Sequence, residues 1–373
     1  MLIPALTLSY FYILHLIWKI KTLRYDSSIQ LFAIFFSIVL LQLLRIHGQN
    51  LFPDIPNYNL IFRDIKPMSF VLENGYGLEY YEENENLTAL LAVPIEIGFS
   101  IFISVFKVFS NNFYYFLFLI SALQLTTFYI FCKKCKLNIV TSLMVYIGLT
   151  YVTFQIGMLR QSLAFCFFLL AIIYGRNKFF FIFFILIGFT FHRSILFCLI
   201  FFFSTVYFNR KFVLFVSVVS LILYLFEIDV ISQLFSSISS IEDIEYNKIN
   251  FYLNVDRSNN YLGIGFWERL ILLILINYVY QDLVKRGLMN PLRNLFFNLS
   301  FFLIILQLVF FASPTITSRL RYYIVIFPII FLFEYIKLLK NNCLKLSFEL
   351  LIFLYLMLQL NFLSTYLMNN KIL

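Results

Sequence analysis

Arginine, histidine and carboxylate side chains recur in this chain at points where the neighbouring residues are apolar. A charge at the centre of a bilayer costs about 2.5 to 3.5 kcal/mol on insertion scales, so each of these groups needs a reason to be there. Two segments bring guanidinium groups next to hydroxyls, Met158-Leu159-Arg160-Gln161-Ser162 and Ser313-Pro314-Thr315-Ile316-Thr317-Ser318-Arg319-Leu320-Arg321-Tyr322-Tyr323. Arginine does not lose its proton, and its planar fork matches the oxygens of a phosphate or pyrophosphate. A residue that merely snorkels to an interface is the competing reading of Arg160.

Three further clusters carry acid–base groups. In Phe189-Thr190-Phe191-His192-Arg193-Ser194 the imidazole of His192 is suited either to accept a proton or to bind a phosphate. Pro94-Ile95-Glu96-Ile97-Gly98-Phe99 sets a carboxylate among apolar residues, which calls for an arginine partner. Leu44-Arg45-Ile46-His47 precedes Asp54, Tyr58 and Phe62, whose spacing of four aligns them on one face of a short helix. There the alternatives are an interfacial Arg45 and a helix-capping Asp54.

No phosphate-cradling glycine loop, zinc pattern or Gly-x-Ser-x-Gly elbow accompanies these groups, so chemistry with a bound nucleotide is not expected and no metal or cofactor is called for. Cys132-Lys133-Lys134-Cys135 has redox spacing but lacks a second pair or a nearby histidine, and reads as small apolar residues beside a basic stop.

The elements that must position these residues are membrane helices. The 373-residue chain is 62% hydrophobic, holds 50 Phe and 25 Tyr and is only 13% charged, more apolar surface than a water-soluble core can hide. Most of the aromatic residues are accordingly read as lipid-facing. Apolar stretches of about 17 to 22 residues recur between short polar breaks, the length that crosses about 30 Å of hydrocarbon. The net charge of +9 sits at the ends of those stretches, where it sets orientation rather than recruiting nucleic acid.

More than half of the 28 basic residues fall in six loops assigned to the cytoplasm: Lys19/Lys21/Arg24, Lys133/Lys134/Lys136, Arg176/Lys178, Arg210/Lys211, Lys285/Arg286/Arg293 and Lys337/Lys340/Lys345. About 12 spans then follow, near Leu2–Trp18, Ile29–Leu44, Phe113–Phe131, Asn138–Met158, Gln161–Tyr174, Phe179–Phe191, Ser194–Phe208, Phe212–Phe226, Gly265–Tyr280, Leu295–Phe311, Tyr322–Ile336 and Leu346–Leu367. Leu2–Trp18 lacks a basic start and a small-residue cleavage site and is kept as a span.

A crossing by Leu91–Phe109 would turn the Lys133–Lys136 loop outward. That segment is therefore expected to be a re-entrant or interfacial helix in a long outer region, 45–112, with a second outer region at 227–264. The expected fold is all-α, a single polytopic membrane domain over residues 1–373, with all five clusters on the outer side.

Taken in order, Leu44-Arg45, Asp54-x-x-x-Tyr58-x-x-x-Phe62, Glu96-x-Gly98-Phe99, Arg160-Gln161-x-x-Ala164, Phe191-His192-x-Ser194 and Arg319-x-Arg321-Tyr322 resemble the EpsG and Wzy-type polysaccharide polymerases of bacterial membranes. The resemblance covers about three quarters of the chain. It implies an enzyme of the bacterial cytoplasmic (inner) membrane that joins undecaprenyl-pyrophosphate-linked repeat units of O-antigen, capsule or exopolysaccharide on the outer face. Arg160, Arg319 and Arg321 would hold the departing pyrophosphate, with Arg45, Tyr58, Gln161 and Tyr322 as further binding residues. His192, Glu96 or Asp54 would take the proton of the acceptor hydroxyl.

The implied partners are the lipid-linked oligosaccharide, membrane lipid, a chain-length regulator and a flippase. A lipid-linked oligosaccharide flippase, or another transporter, is the alternative from a different class, and an O-antigen ligase shares the outward site.

Overall fold

The computed structural model describes residues 9–10, 13–14, 16, 35–37, 39, 54–74, 96–150, 157–175, 177–203, 208–226, 264–309 and 321–369. The expected spans Leu2–Trp18 and Ile29–Leu44 fall mostly outside the described residues, as does most of the outer region 227–264, and Arg45 and Arg319 lie outside them. Among the described residues there are helices and no strand. The helices are α1 (Asp54–Asp64), α2 (Met68–Glu73), α3 (Ile97–Lys107), α4 (Phe113–Lys134), α5 (Ile139–Tyr146), α6 (Leu159–Tyr174), α7 (Lys178–Phe191), α8 (Arg210–Leu225), α9 (Ile264–Lys285), α10 (Pro291–Val309), α11 (Ile326–Ile336) and α12 (Asn342–Asn369). A 3-10 helix, Arg193–Phe203, follows α7 where the sequence suggests a span from Ser194 to Phe208.

Among the described residues, three helical stretches are by length and composition able to cross a membrane: α4, α10 and the part of α12 from Asn342 to Gln359. By contrast α3 has 11 residues, about 16 Å at 1.5 Å per residue, and is too short to cross.

Asparagine starts many of these helices. Asn112, Asn138, Asn177, Asn209, Asn290 and Asn341 each accept, through Oδ1, a backbone N–H of the first helical turn, at 2.8 to 3.1 Å for the shortest bond of each. The first four N–H groups of a helix have no partner within it, and such a cap contributes about 1 kcal/mol. At the other end of α4, Lys136 takes φ +54° and Leu137 N–H bonds to Cys132 O at 2.9 Å, closing the helix as the basic loop begins.

The chain forms two compact units, one of residues 1–202 with 351–373 and one of residues 203–350. In the first, Phe116 of α4 is a hub with no exposure, ringed by Phe62 (5.3 Å between centroids), Phe106 (5.3 Å), Phe102 (5.5 Å) and Phe99 (6.1 Å). These rings join α1 and α3 to α4, so this group of aromatics is core and not lipid-facing, whereas Phe179 and Phe183 on α7 are exposed. Deeper along α4, Phe128 stacks on Tyr146 at 4.1 Å and Tyr146 on Phe165 at 6.1 Å, which binds α4, α5 and α6.

Helices α6 and α7 form a hairpin. A Cβ on Gly188 would meet Ile195 Cδ1 at 2.3 Å and Phe167 Cβ at 3.2 Å, so a larger residue there would have to displace the Ile195 side chain and ease α6 and α7 apart slightly.

The second unit is built on α10, where Asn294, Asn298 and Ser300 have no exposure and Phe297 stacks on Tyr280 of α9 at 3.9 Å. Phe296 meets Phe327 and Phe297 meets Phe331 of α11, each at 5.9 Å. At the end of α9 that carries Lys285, Arg286 Nε lies 2.9 Å from an Asp282 oxygen and Tyr335 donates to Asp282 at 3.0 Å.

Candidate functional site

Arg160 is the second residue of α6, and Glu96 is the residue that precedes the first turn of α3. The Glu96 backbone carbonyl starts α3 by accepting from Phe99 N and Ser100 N, and its side chain makes no cap bond. The carboxylate is therefore available to reach across to α6, where Arg160 Nη1 donates to Glu96 Oε2 at 2.5 Å. Both side chains are nearly buried, with 13% and 12% of their surface exposed. The arginine partner that an apolar setting demands of Glu96 is thus Arg160.

Tyr58 completes the arrangement. Its hydroxyl oxygen accepts from both the guanidinium and the backbone N–H of Arg160, so one phenol serves a buried cation and an otherwise orphaned helix-end donor. Burial raises the Tyr58 phenol above its usual range, and the neighbouring guanidinium pulls it back down. Asp54, one turn earlier on α1, lies close enough to interact electrostatically with Tyr58. The predicted shared face of Asp54, Tyr58 and Phe62 is present: Tyr58 meets Phe99 edge-on at 5.7 Å, and Phe62 is buried against α3 and α4.

Lys107 locks the far end of this sub-assembly. Its Nζ donates to Ile65 O at 2.5 Å and Arg63 O at 3.1 Å, satisfying carbonyls at the end of α1, and sits 4.9 Å from the centre of the Phe62 ring. Ser104 adds a bond to Lys66 O at 2.8 Å. With the C-terminal ends of α1 and α3 tied together beside Phe113, their N-terminal ends carry Asp54 and Glu96 some 16 Å further on. Gln124, in the middle of α4, bonds Ser162 at 2.5 Å, so Arg160 stands level with the middle of α4 rather than with its start.

His192 ends α7 in an extended conformation (φ −162°, ψ 123°). Its Nδ1 accepts from Ser194 N at 3.2 Å, and Ser194 Oγ lies 2.7 Å away. A Cβ on Gly98 would stand 2.3 Å from Thr190 Oγ1 and 2.7 Å from Thr190 O, so the first turn of α3 touches the last turn of α7. Glu96 and His192 each lie two residues from that contact. Gln161 is buried at 1% exposure within α6, where the sequence leaves room for a more open role.

In the second unit Arg321 Nη2 lies 3.5 Å from Glu268 Oε1, and Tyr322 is half-buried beside it. Arg269 donates to Gln307 O in the last turn of α10 at 3.4 Å and interacts electrostatically with Arg321. Glu268 and Arg269 escape the sequence reading. Their signal is an adjacent acid and base in the first turns of the otherwise apolar α9.

A glutamate–arginine ion pair is therefore the polar focus of each unit, nearly buried at Glu96–Arg160 and half-buried at Glu268–Arg321. A family model, that of the EpsG family, matches residues 28–372. No curated protein and no solved structure matches the chain.

Proposed function

Because the chain belongs to the EpsG family of Wzy-type polymerase-like proteins, and is thus a polysaccharide polymerase-type membrane protein, we propose that it joins undecaprenyl-diphosphate-linked repeat units at the outer face of a bacterial cytoplasmic membrane. The observation that carries this reading is the Glu96–Arg160–Tyr58 arrangement at the adjoining N-terminal ends of α3 and α6. The Glu96 carboxylate balances the guanidinium, while each helix start adds roughly half a positive charge. The remaining potential is positive and favours an anion.

The reaction needs a cation where charge develops. As the acceptor hydroxyl oxygen bonds to the anomeric carbon, the bond from that carbon to the diphosphate breaks and its electron pair leaves with the phosphate. Arg160, pre-placed in a water-poor setting, stabilises that charge, and in the second unit Arg321, with Arg319 and Tyr322, binds anionic substrate in the same manner. Arg45 and Gln161 complete the binding residues. Asp54, Glu96 or His192 takes the proton of the hydroxyl.

The chain crosses the membrane about 12 times as one membrane-integral domain, and the outer regions 45–112 and 227–264 carry substrate contacts. Within 45–112, α3 is re-entrant. Tied at Lys107 beside the start of α4, it descends until Glu96 meets Arg160 level with mid-α4, about 14 Å along that helix. Buried in protein on its aromatic face, such a segment is tolerated at membrane depth.

Deletion of the gene in its host tests the class. Loss of a polymerase leaves single repeat units on the outer carrier lipid, whereas loss of a flippase accumulates precursor inside and loss of a ligase leaves full polymer on the carrier.

A further inference from the structure

His192 is fixed from three directions. Its backbone N–H bonds to Gly188 O at 3.0 Å, finishing α7, and its carbonyl accepts from Ile195 N at 3.2 Å, starting the 3-10 helix. Beside it, Phe191 stacks on Phe167 at 5.3 Å and meets Phe102 at 6.1 Å. The ring is then held by Ser194, whose backbone N–H and hydroxyl both address Nδ1.

A backbone N–H has only a hydrogen to give, so Nδ1 must present its lone pair. A neutral imidazole carries one hydrogen, and that hydrogen is then on Nε2. To accept a proton at Nε2 the ring would have to move its hydrogen to Nδ1, where it would face the Ser194 N–H.

We infer that Ser194 sets the tautomer of His192, so that the ring offers Nε2–H as a hydrogen-bond donor to an anionic oxygen of the lipid diphosphate and does not serve as the base. This rests on the proposed polymerase reading. The proton of the acceptor hydroxyl passes to one of the carboxylates, Asp54 or Glu96, while the His192 hydrogen stays on its ring throughout. Ser194 is a positioning residue, acting through His192. The Gly98–Thr190 contact holds this donor at the same end of α3 as the Glu96–Arg160 pair.

The tautomer is read directly by nitrogen NMR of the full-length protein in nanodiscs with labelled histidine, since the chain has three histidines and single substitutions of the other two assign the signals. Nδ1 is expected bare and Nε2 hydrogen-bearing, and vesicles containing undecaprenyl diphosphate are expected to shift the Nε2 signal. A hydrogen on Nδ1, or no shift with the lipid, overturns the inference.

Variants separate the roles in cells, by surface-polymer length at equal membrane insertion. His192→Gln keeps an amide hydrogen near the Nε2 position and retains roughly a tenth of activity. His192→Asn can still accept from Ser194 N–H but reaches no further, and falls about 100-fold. Ser194→Ala loses about fivefold and Ser194→Thr recovers it. Gln as inactive as His192→Ala would mean a proton acceptor, and a fully active Asn variant would mean a helix cap alone; either result sinks the inference. If the wild-type protein extends no lipid-linked units, the polymerase reading fails, while the NMR result still decides the tautomer.

Discussion

Arg160 and Glu96, 64 residues apart in the chain, meet at 2.5 Å with little of either side chain exposed. Taking one partner from a buried pair leaves an uncompensated charge and costs about 3 to 5 kcal/mol, whereas the pair as a whole adds little net stability. Net stability therefore does not account for the pair, which is the premise from which its proposed role toward the diphosphate is tested.

Arg160→Ala is expected to lower polymer synthesis by about 100- to 1,000-fold, the usual cost of losing one pre-placed donor to developing negative charge. Arg160→Lys keeps the charge but loses the fork and should fall between the two. Exchanging the residues, Arg160→Glu with Glu96→Arg, is expected to restore thermal stability relative to either single variant without restoring polymer. Recovery of polymer in the exchanged protein would remove Arg160 from the reaction centre.

Tyr58→Phe keeps the ring against Phe99 but takes away the oxygen that receives the Arg160 guanidinium and N–H. Leaving those buried donors unsatisfied costs about 1 to 3 kcal/mol. A lower thermal midpoint in detergent and a weakened response to substrate concentration are expected. An unchanged midpoint would mean that the phenol is dispensable to the Arg160 geometry.

Gly98→Ala places a methyl 2.3 Å from Thr190 Oγ1 and 2.7 Å from Thr190 O. The hydroxyl can rotate away, but the backbone oxygen cannot, so α3 and α7 must separate at a cost of about 1 to 3 kcal/mol. Combining Gly98→Ala with Thr190→Ala should therefore fail to restore either stability or polymer length, as measured by thermal unfolding and a surface-polymer gel.

Lys107→Met removes the ammonium that serves Arg63 O and Ile65 O while keeping much of the side-chain volume over Phe62. Protease sensitivity between residues 54 and 74 should rise well above that of α4 to α7, because α1 loses its tie to α3 while the hairpin keeps its own packing. Equal sensitivity of both regions in wild-type and variant would show that the aromatic ring around Phe116 holds α1 alone.

The membrane class, the helical content, the positions of most described helices and the residues worth watching are written in local sequence. Hydropathy over a window of one span, lysines at helix ends and an arginine in an apolar stretch need no knowledge of the fold, because lipid penalises a charge wherever the rest of the chain lies. The six asparagine caps went unread in the sequence, although a cap acts within three residues of itself and its signal is local. What sequence does not contain is pairing across distance: that Glu96 chooses Arg160, that Tyr58 serves both the guanidinium and a helix end, that Gly98 makes room for Thr190, and that Glu268 receives Arg321. Those partnerships depend on which helix faces lie together, and that is settled by close packing of side chains from separate segments.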